Sequence, residues 1–413
     1  MDQRSPRLSR TIRLSVRMAS IITALSVSGC DSTVTGSSTP AELDVRKLDV
    51  GSYSTTPLDM RYTYQNDLSG GLKLAVMRLS DHVVTGMDID PRFKYSTGSI
   101  PFVDAAKATT VLADVTKPVL ERNKMMFGFA SGSVDKEPDK SGKKVDGQSF
   151  TTVAVMQFPN ESVAKQAATE IAEADFAVAA DKNEKVPLPS YPEAHTHWRP
   201  GVATIGSVMA KGSYVISLYL SNTTPDLAAL TNLAEKSYAA QIPRLDALEP
   251  LTAEGVLFLE NDPDGMLRRT FNPNAMGLPD PGKQGSYTMQ GFLHQVANTA
   301  RWKETLTDVG LDRFSLSYAG SFSTSMLFRT RDAESARRLA STILDGVYPG
   351  VADAPAALPD AKCGEGKSTD DIEKKRFRCV VTYREYTATV EADQLRDAHQ
   401  RAAAQYALLA NSQ

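Results

Sequence analysis

The pattern of hydrophobic and polar positions in residues 151–238 predicts a fixed order of strands and helices. Residues 151–158 are rich in β-branched side chains, which favour a strand, and Asn160 then precedes apolar residues at helical spacing. Three further runs predict strands, and apolar positions three and four apart in residues 227–238 predict a last helix. The three strand runs are "AHTHW", "VATIGSVM" and "SYVISLYL". The predicted order is therefore βαβββα.

The same order recurs between residues 324 and 406. The helix caps Asn160 and Asp332 are 172 positions apart, and Tyr214 and Tyr386 are again 172 positions apart. The apolar residues of the last helix in each unit align at an offset of 168. Two units of equal length and matching pattern favour an internal duplication. Independent convergence on a common pattern is the alternative.

This order of elements predicts an α+β fold. We expect two domains, each with an antiparallel sheet covered by helices in a two-layer sandwich of the βαβββα type. The run "LDALEPLTAEG" marks the boundary, which predicts an N-terminal domain at 43–249 and a C-terminal domain at 250–413. Apolar positions in about 286–309 predict one long helix ahead of the second unit.

The N-terminal segment has the features of an export signal. Five arginines in residues 1–29 precede Met18–Gly29, which carries no charge and is too short for a transmembrane helix of about 20 residues. The run "VSGC" ends at Cys30 and looks like a bacterial lipobox. We therefore predict a signal peptide at 1–29, a lipid-modified Cys30, and a flexible tether at 30–42. A failed transmembrane helix and an ordinary secretion signal with an incidental cysteine are the alternatives.

The charge content argues against a nucleic-acid partner, and the predicted export gives an expectation for the cysteines. Without residues 1–29 the chain keeps 41 basic and 48 acidic side chains, so no basic surface for nucleic acid is expected. If Cys30 carries lipid, Cys363 and Cys379 remain, and outside the cytoplasm a disulfide is the expected pairing. Two buried thiols are the alternative. The predicted location is the extracytoplasmic face of the cell membrane, held by a lipid anchor.

The whole mature chain resembles an uncharacterised family of two-domain actinobacterial cell-envelope lipoproteins. The resemblance rests on the lipobox at Cys30, the tether "STVTG", the runs "HTHWRPG" and "GSYVISLYL" in the first half, and "NDPDGMLRR" with a cysteine pair in the second. It implies a two-domain lipoprotein of an actinobacterial envelope. It implies no catalytic residue.

The strongest candidate for metal chemistry is the run "HTHW". On a strand, His195 and His197 point to the same face, and Glu193, two residues earlier, would face the same way and could be a third metal ligand. Two imidazoles on a solvated strand are the simpler interpretation. Ser162 and Lys165 match the S-x-x-K of serine acylases, but no K-T-G follows.

Other acidic runs favour structure over chemistry. Glu260–Gly265 imitates half of an EF-hand loop, yet Phe271 stands where the bidentate glutamate belongs, so a tight turn is expected. Asp88 and Asp90 lack a partner cluster in the sequence, and His294 is expected in a core or an interface.

These observations favour a non-enzymatic envelope lipoprotein that binds a small molecule or an envelope protein in the cleft between its two halves. The sequence predicts no cofactor. The alternatives are an extracytoplasmic metal-dependent or hydrolytic enzyme that uses His195 and His197, and a structural component of an envelope complex.

Overall fold

The computed structural model describes residues 43–59, 64–139, 145–275, 277–319, 323–344, 348–366 and 375–412. Cys30 and the predicted signal peptide lie outside these ranges. Residues 44–413 form one compact unit, and this unit contains two antiparallel sheets of seven strands each.

The first sheet belongs to the N-terminal domain and has the order β1-β2-β3-β7-β6-β5-β4, with every neighbouring pair antiparallel. Its strands are β1 (Tyr95–Phe102), β2 (Phe127–Val134), β3 (Phe150–Gln157), β4 (Glu184–Lys185), β5 (His195–Trp198), β6 (Thr204–Lys211) and β7 (Tyr214–Ser221). Short connections join β5 to β6 and β6 to β7, whereas two short α-helices lie between β1 and β2. The crossover from β3 to β4 contains the long helix that begins at Glu161.

Helices cover both faces of this sheet. The helices are α1 (Leu68–Ser80), α2 (Gly86–Ile89), α3 (Ala105–Ala108), α4 (Lys117–Arg122), α5 (Glu161–Ala177), α6 (Leu227–Asp246) and α7 (Ala253–Leu257). Helices α3, α4 and α5 pack on one face with Ala154 and Met156. Helices α1 and α6 pack on the other face with Val153 and Val155. The alternation of side chains along β3 thus supplies both cores.

The second sheet repeats this topology in the C-terminal domain. Its order is β8-β9-β10-β14-β13-β12-β11, which is the order of the first sheet with seven added to each strand number. The strands are β8 (Gly285–Tyr287), β9 (Arg313–Tyr318), β10 (Thr324–Arg329), β11 (Gly350–Ala352), β12 (Lys362–Glu365), β13 (Phe377–Tyr383) and β14 (Tyr386–Ala392). The helices are α8 (Met289–Leu293), α9 (Thr299–Asp308), α10 (Ala333–Ile343) and α11 (Leu395–Ala410). The matching order supports an internal duplication.

The α+β class with two antiparallel sheets is confirmed, and the sequence pattern did not reveal that helices lie on both faces. The single helix predicted at about 286–309 was wrong, because strand β8 begins at Gly285 and two shorter helices follow. The caps behave as predicted. Asn160 accepts a hydrogen bond from Val163 N, and Asp332 accepts one from Ser335 N.

The predicted disulfide joins Cys363 to Cys379, which lie opposite each other in strands β12 and β13. In the N-terminal sheet the corresponding pair in β5 and β6 is Thr196 and Ser207. Their buried hydroxyl oxygens are 2.6 Å apart and share a hydrogen bond. Equivalent strands are therefore linked at equivalent positions in the two domains. The link is a covalent bond in the C-terminal domain and a hydrogen bond in the N-terminal domain.

Helix α1 belongs to both hydrophobic cores. Val76 and Leu79 are buried in the core of the N-terminal domain. Leu74 and Met77, on the opposite side of the helix, are buried among the aromatic side chains of the C-terminal domain. Gly285 permits this close approach, because a Cβ atom there would lie 2.4 Å from Met77 Sδ.

A buried polar network closes the junction between the two domains. Asp81 accepts hydrogen bonds from the backbone N–H and the hydroxyl of Thr288, at 3.0 and 2.9 Å. His294 Nε2 donates to Val83 O at 3.0 Å, so its Nδ1 accepts from the Ser131 hydroxyl at 2.9 Å. The predicted interface position of His294 is confirmed, and each partner of this network comes from the opposite domain.

Charged groups extend this network. Lys303 Nζ lies 2.8 Å from Asp88 Oδ1, and Arg244 lies 3.3 Å from the same oxygen. Burial raises the pKa of Asp88, but these two cations outweigh it and lower the pKa to about 2. Burial also raises the pKa of Asp81 to about 6 and lowers the pKa of His294 to about 4. Asp81 and His294 are therefore poised to respond to pH in opposite directions.

The equivalence of the two sheets predicts that the double variant Thr196→Cys/Ser207→Cys forms a second disulfide. The two side chains already touch, and the same register holds a disulfide in the other domain. We expect the oxidised, unfolded double variant to resist alkylation by iodoacetamide without reductant. The Thr196→Cys single variant is the control and should label at one thiol. Two labelled thiols in the double variant would show that the two pairs are not equivalent.

The junction predicts opposite pH dependences for two single variants. Because the folded pKa of Asp81 lies above its unfolded value, the native protein binds more protons between about pH 4 and pH 6, and the stability contribution of Asp81 falls as pH rises. We expect the unfolding free energy of the wild type, minus that of Asp81→Asn, to fall by on the order of 2 kcal/mol from pH 4 to pH 7.

The unfolding free energy of the wild type, minus that of His294→Gln, should rise from pH 4 to pH 7. In this range the unfolded histidine binds a proton and the buried histidine does not, so the folded state gains stability as pH rises. Urea unfolding at several pH values measures both differences. If neither free-energy difference changes with pH, then Asp81 and His294 are not buried in solution.

Candidate functional site

A cavity of about 470 Å³ lies in the N-terminal domain, between the sheet face under α5 and the segment that joins α3 to α4. Its volume falls within the range of about 300–1,000 Å³ typical of small-molecule sites. The lining residues that the argument uses are Val111, Asp175, Val178, His197, Arg199, Val202, Gly206 and Tyr219. They come from three strands, one helix and three connecting segments, so the fold itself builds this cavity.

The floor of the cavity is a row of three residues on adjacent strands. His197 in β5 lies opposite Gly206 in β6, which in turn lies opposite Tyr219 in β7. A Cβ atom at Gly206 would lie 3.0 Å from His197 Cε1, so the glycine leaves room for the imidazole and keeps the floor open. Tyr219 is 51% exposed, and its ring lies 5.0 Å from that of Phe150.

Polar groups stand on one wall of the cavity. His197 Nε2 lies 3.8 Å from Asp175 Oδ2, and the imidazole meets the Phe176 ring edge to face. Burial lowers the pKa of His197, while the Asp175 carboxylate acts against this and the Arg199 cation acts with it. Burial therefore favours the neutral form of this imidazole.

Arg199 lies on the short loop that follows β5. The Trp198 indole N–H donates to Val202 O at 2.7 Å and holds this loop in place. Within the described residues, the Arg199 guanidinium forms no ion pair or hydrogen bond. The cavity therefore has a cation at its edge without an internal partner.

The corresponding place in the C-terminal domain is filled. Its row is Gly364, Arg378 and Glu391, on strands β12, β13 and β14. Arg378 Nε donates to Glu391 Oε1 at 2.8 Å, and the Tyr348 ring lies 4.5 Å from the guanidinium. The side chains of Arg378 and Glu391 are only 14% and 8% exposed. The C-terminal domain thus occupies with its own side chains the place that is open in the N-terminal domain.

The candidate metal ligands do not assemble. His195 and His197 share a face as predicted, but His195 is exposed and its Nε2 lies 3.2 Å from the Thr169 hydroxyl. The expectation that Glu193 lies on the same strand was wrong, because the chain turns at Pro192 and β5 begins only at His195. Glu193 therefore does not follow the alternation that would align it with the two imidazoles.

In the described part of the chain, one group of three possible metal ligands lies within 4.8 Å, and it consists of Cys363, Cys379 and His399. Since the two sulfurs are bonded to each other, they offer no thiolate to a metal. The sites of the other motifs are structural as well. Lys165 pairs with Glu161 at 2.8 Å on an exposed turn of α5, so it does not activate Ser162.

The run Glu260–Gly265 forms a tight turn, as expected. Asp262 accepts from the backbone N–H groups of Leu267 and Arg268 and so caps the short helix that begins at Leu267. A second cavity of about 450 Å³ lies beside this turn, at the linker between the domains. The junction under α1 holds only about 30 Å³.

Sequence reasoning missed the residues that form the floor and edge of the cavity, namely Gly206, Tyr219, Arg199 and Asp175. One signal was present. At the offset of 172, Gly206 aligns with Arg378 and Tyr219 aligns with Glu391. At both positions the two repeats therefore have residues that differ strongly in size or charge.

Comparison with known proteins identifies a family but no activity. A model of the N-terminal part of a domain of unknown function, DUF7373, matches residues 62–260, and a model of its C-terminal part matches residues 266–412. No curated protein matches the chain significantly. Within the described ranges, we find no helix with the length and hydrophobicity that crossing a bilayer requires.

One solved structure with some similarity is the extracellular domain of PknH from Mycobacterium tuberculosis, at 13% identity and a TM-score of 0.31. The match covers 42% of this chain and 97% of that one, and a TM-score of this size is too low to assign fold or function. The two family models together cover most of the chain and meet near the linker. The chain therefore belongs to the DUF7373 family, with both its N-terminal and its C-terminal domain.

Proposed function

We propose that this protein is a lipid-anchored binding protein of the extracytoplasmic face of the cell membrane, and that its N-terminal domain takes a small-molecule ligand in the cavity above Gly206. The C-terminal domain acts as the partner that holds the N-terminal domain in shape. In this proposal the protein is not an enzyme and needs no cofactor.

The signal features at the N-terminus support the location. An arginine-rich start, an uncharged run and Cys30 are the pattern of a lipoprotein signal. The disulfide between Cys363 and Cys379 is consistent with an oxidising compartment. A single lipid-modified cysteine followed by the polar tether 30–42 would hold the folded unit close to the membrane surface. An actinobacterial envelope remains the expected setting.

The observation that carries the binding proposal is the contrast between the two domains. Both sheets have the same strand order, yet one holds the buried pair of Arg378 and Glu391 where the other has Gly206 and an exposed Tyr219. An exposed aromatic ring on the floor of a concave site forgoes the free energy of its burial unless a ligand covers it. The open copy is therefore the one that binds.

An enzymatic function is the second candidate, and the pairing of His197 with Asp175 is what favours it. A histidine beside a carboxylate at a cavity wall is the arrangement of a general base. The separation of 3.8 Å exceeds a hydrogen bond, and no hydroxyl or thiol among the described lining residues donates to His197. These distances favour binding over catalysis.

The anchor predicts that Cys30→Ala releases the protein from the membrane, because the substitution removes the sulfur that would carry the lipid. Fractionation of cells should find the wild type in the detergent-extracted membrane fraction and the variant in the soluble extracytoplasmic fraction. Ser37→Ala, in the tether, is the matched control and should stay with the membrane. A Cys30→Ala variant that remains fully membrane-bound would refute the lipid anchor.

The binding proposal predicts that the double variant Gly206→Arg/Tyr219→Glu closes the cavity, because it transfers the pair that fills the C-terminal domain. Native mass spectrometry of protein released in mild detergent from its own envelope should show a retained ligand mass on the wild type and none on the variant. Glu173→Arg adds an arginine on the exposed side of α5 and should keep the ligand.

Circular dichroism of all three proteins establishes that they are folded. The same retained mass on the double variant and the wild type would contradict the assignment of the cavity. If the wild-type protein carries only its lipid, the proposal of a tightly bound small molecule is wrong, and a protein partner becomes the favoured interpretation.

A further inference from the structure

The cavity has a chemical character that narrows its ligand, and this character comes from its apolar walls and its charged edge. Nine large hydrophobic side chains are exposed among the described residues, and three of them, Val178, Val202 and Tyr219, line this one cavity. Val111 and Leu112 add apolar surface on the opposite wall. Apolar groups concentrated around a concave site indicate a ligand with an apolar body.

The two charged groups that line the cavity differ in their partners. Arg199 lines the cavity and has no ion-pair or hydrogen-bond partner among the described residues. Lys185 lies opposite His197 in the register of β4 and β5, and its ammonium lies 5.7 Å from the centre of the Phe176 ring. Asp175 is the single carboxylate among the described lining residues, and it faces the imidazole of His197. The described lining residues thus carry one cation and one carboxylate, and the cation of Arg199 is the one without a partner.

Arg199 is an exposed side chain at the edge of the cavity, on a loop whose backbone is held in place. The hydrogen bond from the Trp198 indole to Val202 O ties down the loop on which it lies. An arginine guanidinium offers several N–H donors in a fixed plane and matches the oxygens of a carboxylate, sulfonate or phosphate. A cation held beside an apolar cavity favours an anion that carries an apolar group.

We propose that the ligand of this cavity is an amphipathic anion, whose apolar body lies over Tyr219 between Val111, Val178 and Val202, and whose acidic group pairs with Arg199. This inference rests on the proposed binding function of the cavity. It adds the chemical class of the ligand and the residue that selects it.

Two fluorescent probes separate the charge from the apolar body. Anilinonaphthalene sulfonate has an acidic group, and N-phenylnaphthylamine has the same aromatic body without it. Both are titrated into the chain from Asp31 to Gln413, which needs no detergent and contains the whole compact unit from Asp44. We expect Arg199→Gln to weaken binding of the sulfonate about tenfold and to leave binding of the neutral probe within about twofold.

Matched variants keep the two proposals distinguishable. Lys107→Gln removes an equal charge outside the cavity and should change neither probe. Gly206→Arg/Tyr219→Glu should abolish binding of both probes. If Arg199→Gln weakens both probes equally, or neither, while the double variant abolishes both, the preference for an anion is wrong and the cavity still binds. If the double variant binds both probes like the wild type, the cavity is not the site and both proposals fail.

Discussion

Helix α1 imposes the constraint on which the rest of the structure depends, because it is buried between two hydrophobic cores at once. Val76 and Leu79 face the N-terminal sheet, while Leu74 and Met77 face the C-terminal aromatic cluster. Neither domain can move away without exposing apolar surface on this helix, at roughly 25 cal/mol per Å². The polar network beneath it adds a second requirement. Asp81 and His294 each depend on partners from the other domain, and a buried polar group without a partner is costly.

This fixed junction explains why the C-terminal domain can specialise as a support. Its sheet repeats the topology of the first, but the place that could form a cavity holds Arg378 paired with Glu391 under Tyr348. A buried ion pair of this kind depends on hydrogen bonds to its charged atoms, and Glu391 Oε1 accepts from both Arg378 and the Tyr348 hydroxyl. The disulfide at Cys363 and Cys379 replaces the hydrogen bond between Thr196 and Ser207. The C-terminal copy is thus closed and cross-linked.

The N-terminal copy diverges in the opposite direction at the same positions. Gly206 removes a side chain from the floor, and Tyr219 replaces a buried carboxylate with an aromatic ring that stays half exposed. The loop after β5 brings Arg199 to the edge, and the end of α5 brings Asp175. One scaffold therefore carries two outcomes, because a sheet fixes the direction of a side chain and leaves its size and charge free to vary.

The sequence by itself determined the elements whose signal lies in neighbouring residues. The strands β3 and β5–β7, their counterparts in the second half, the capped helices and the repeat follow from local periodicity. Strands β4, β8 and β11 have only two or three residues, too few for a period to be visible. Only the tertiary structure decided the position of α1 and the shape of the cavity. His197, Gly206 and Tyr219 meet because three strands pair in one register, and Val111 reaches them from a distant segment. Such contacts depend on long-range packing, which local sequence patterns do not encode.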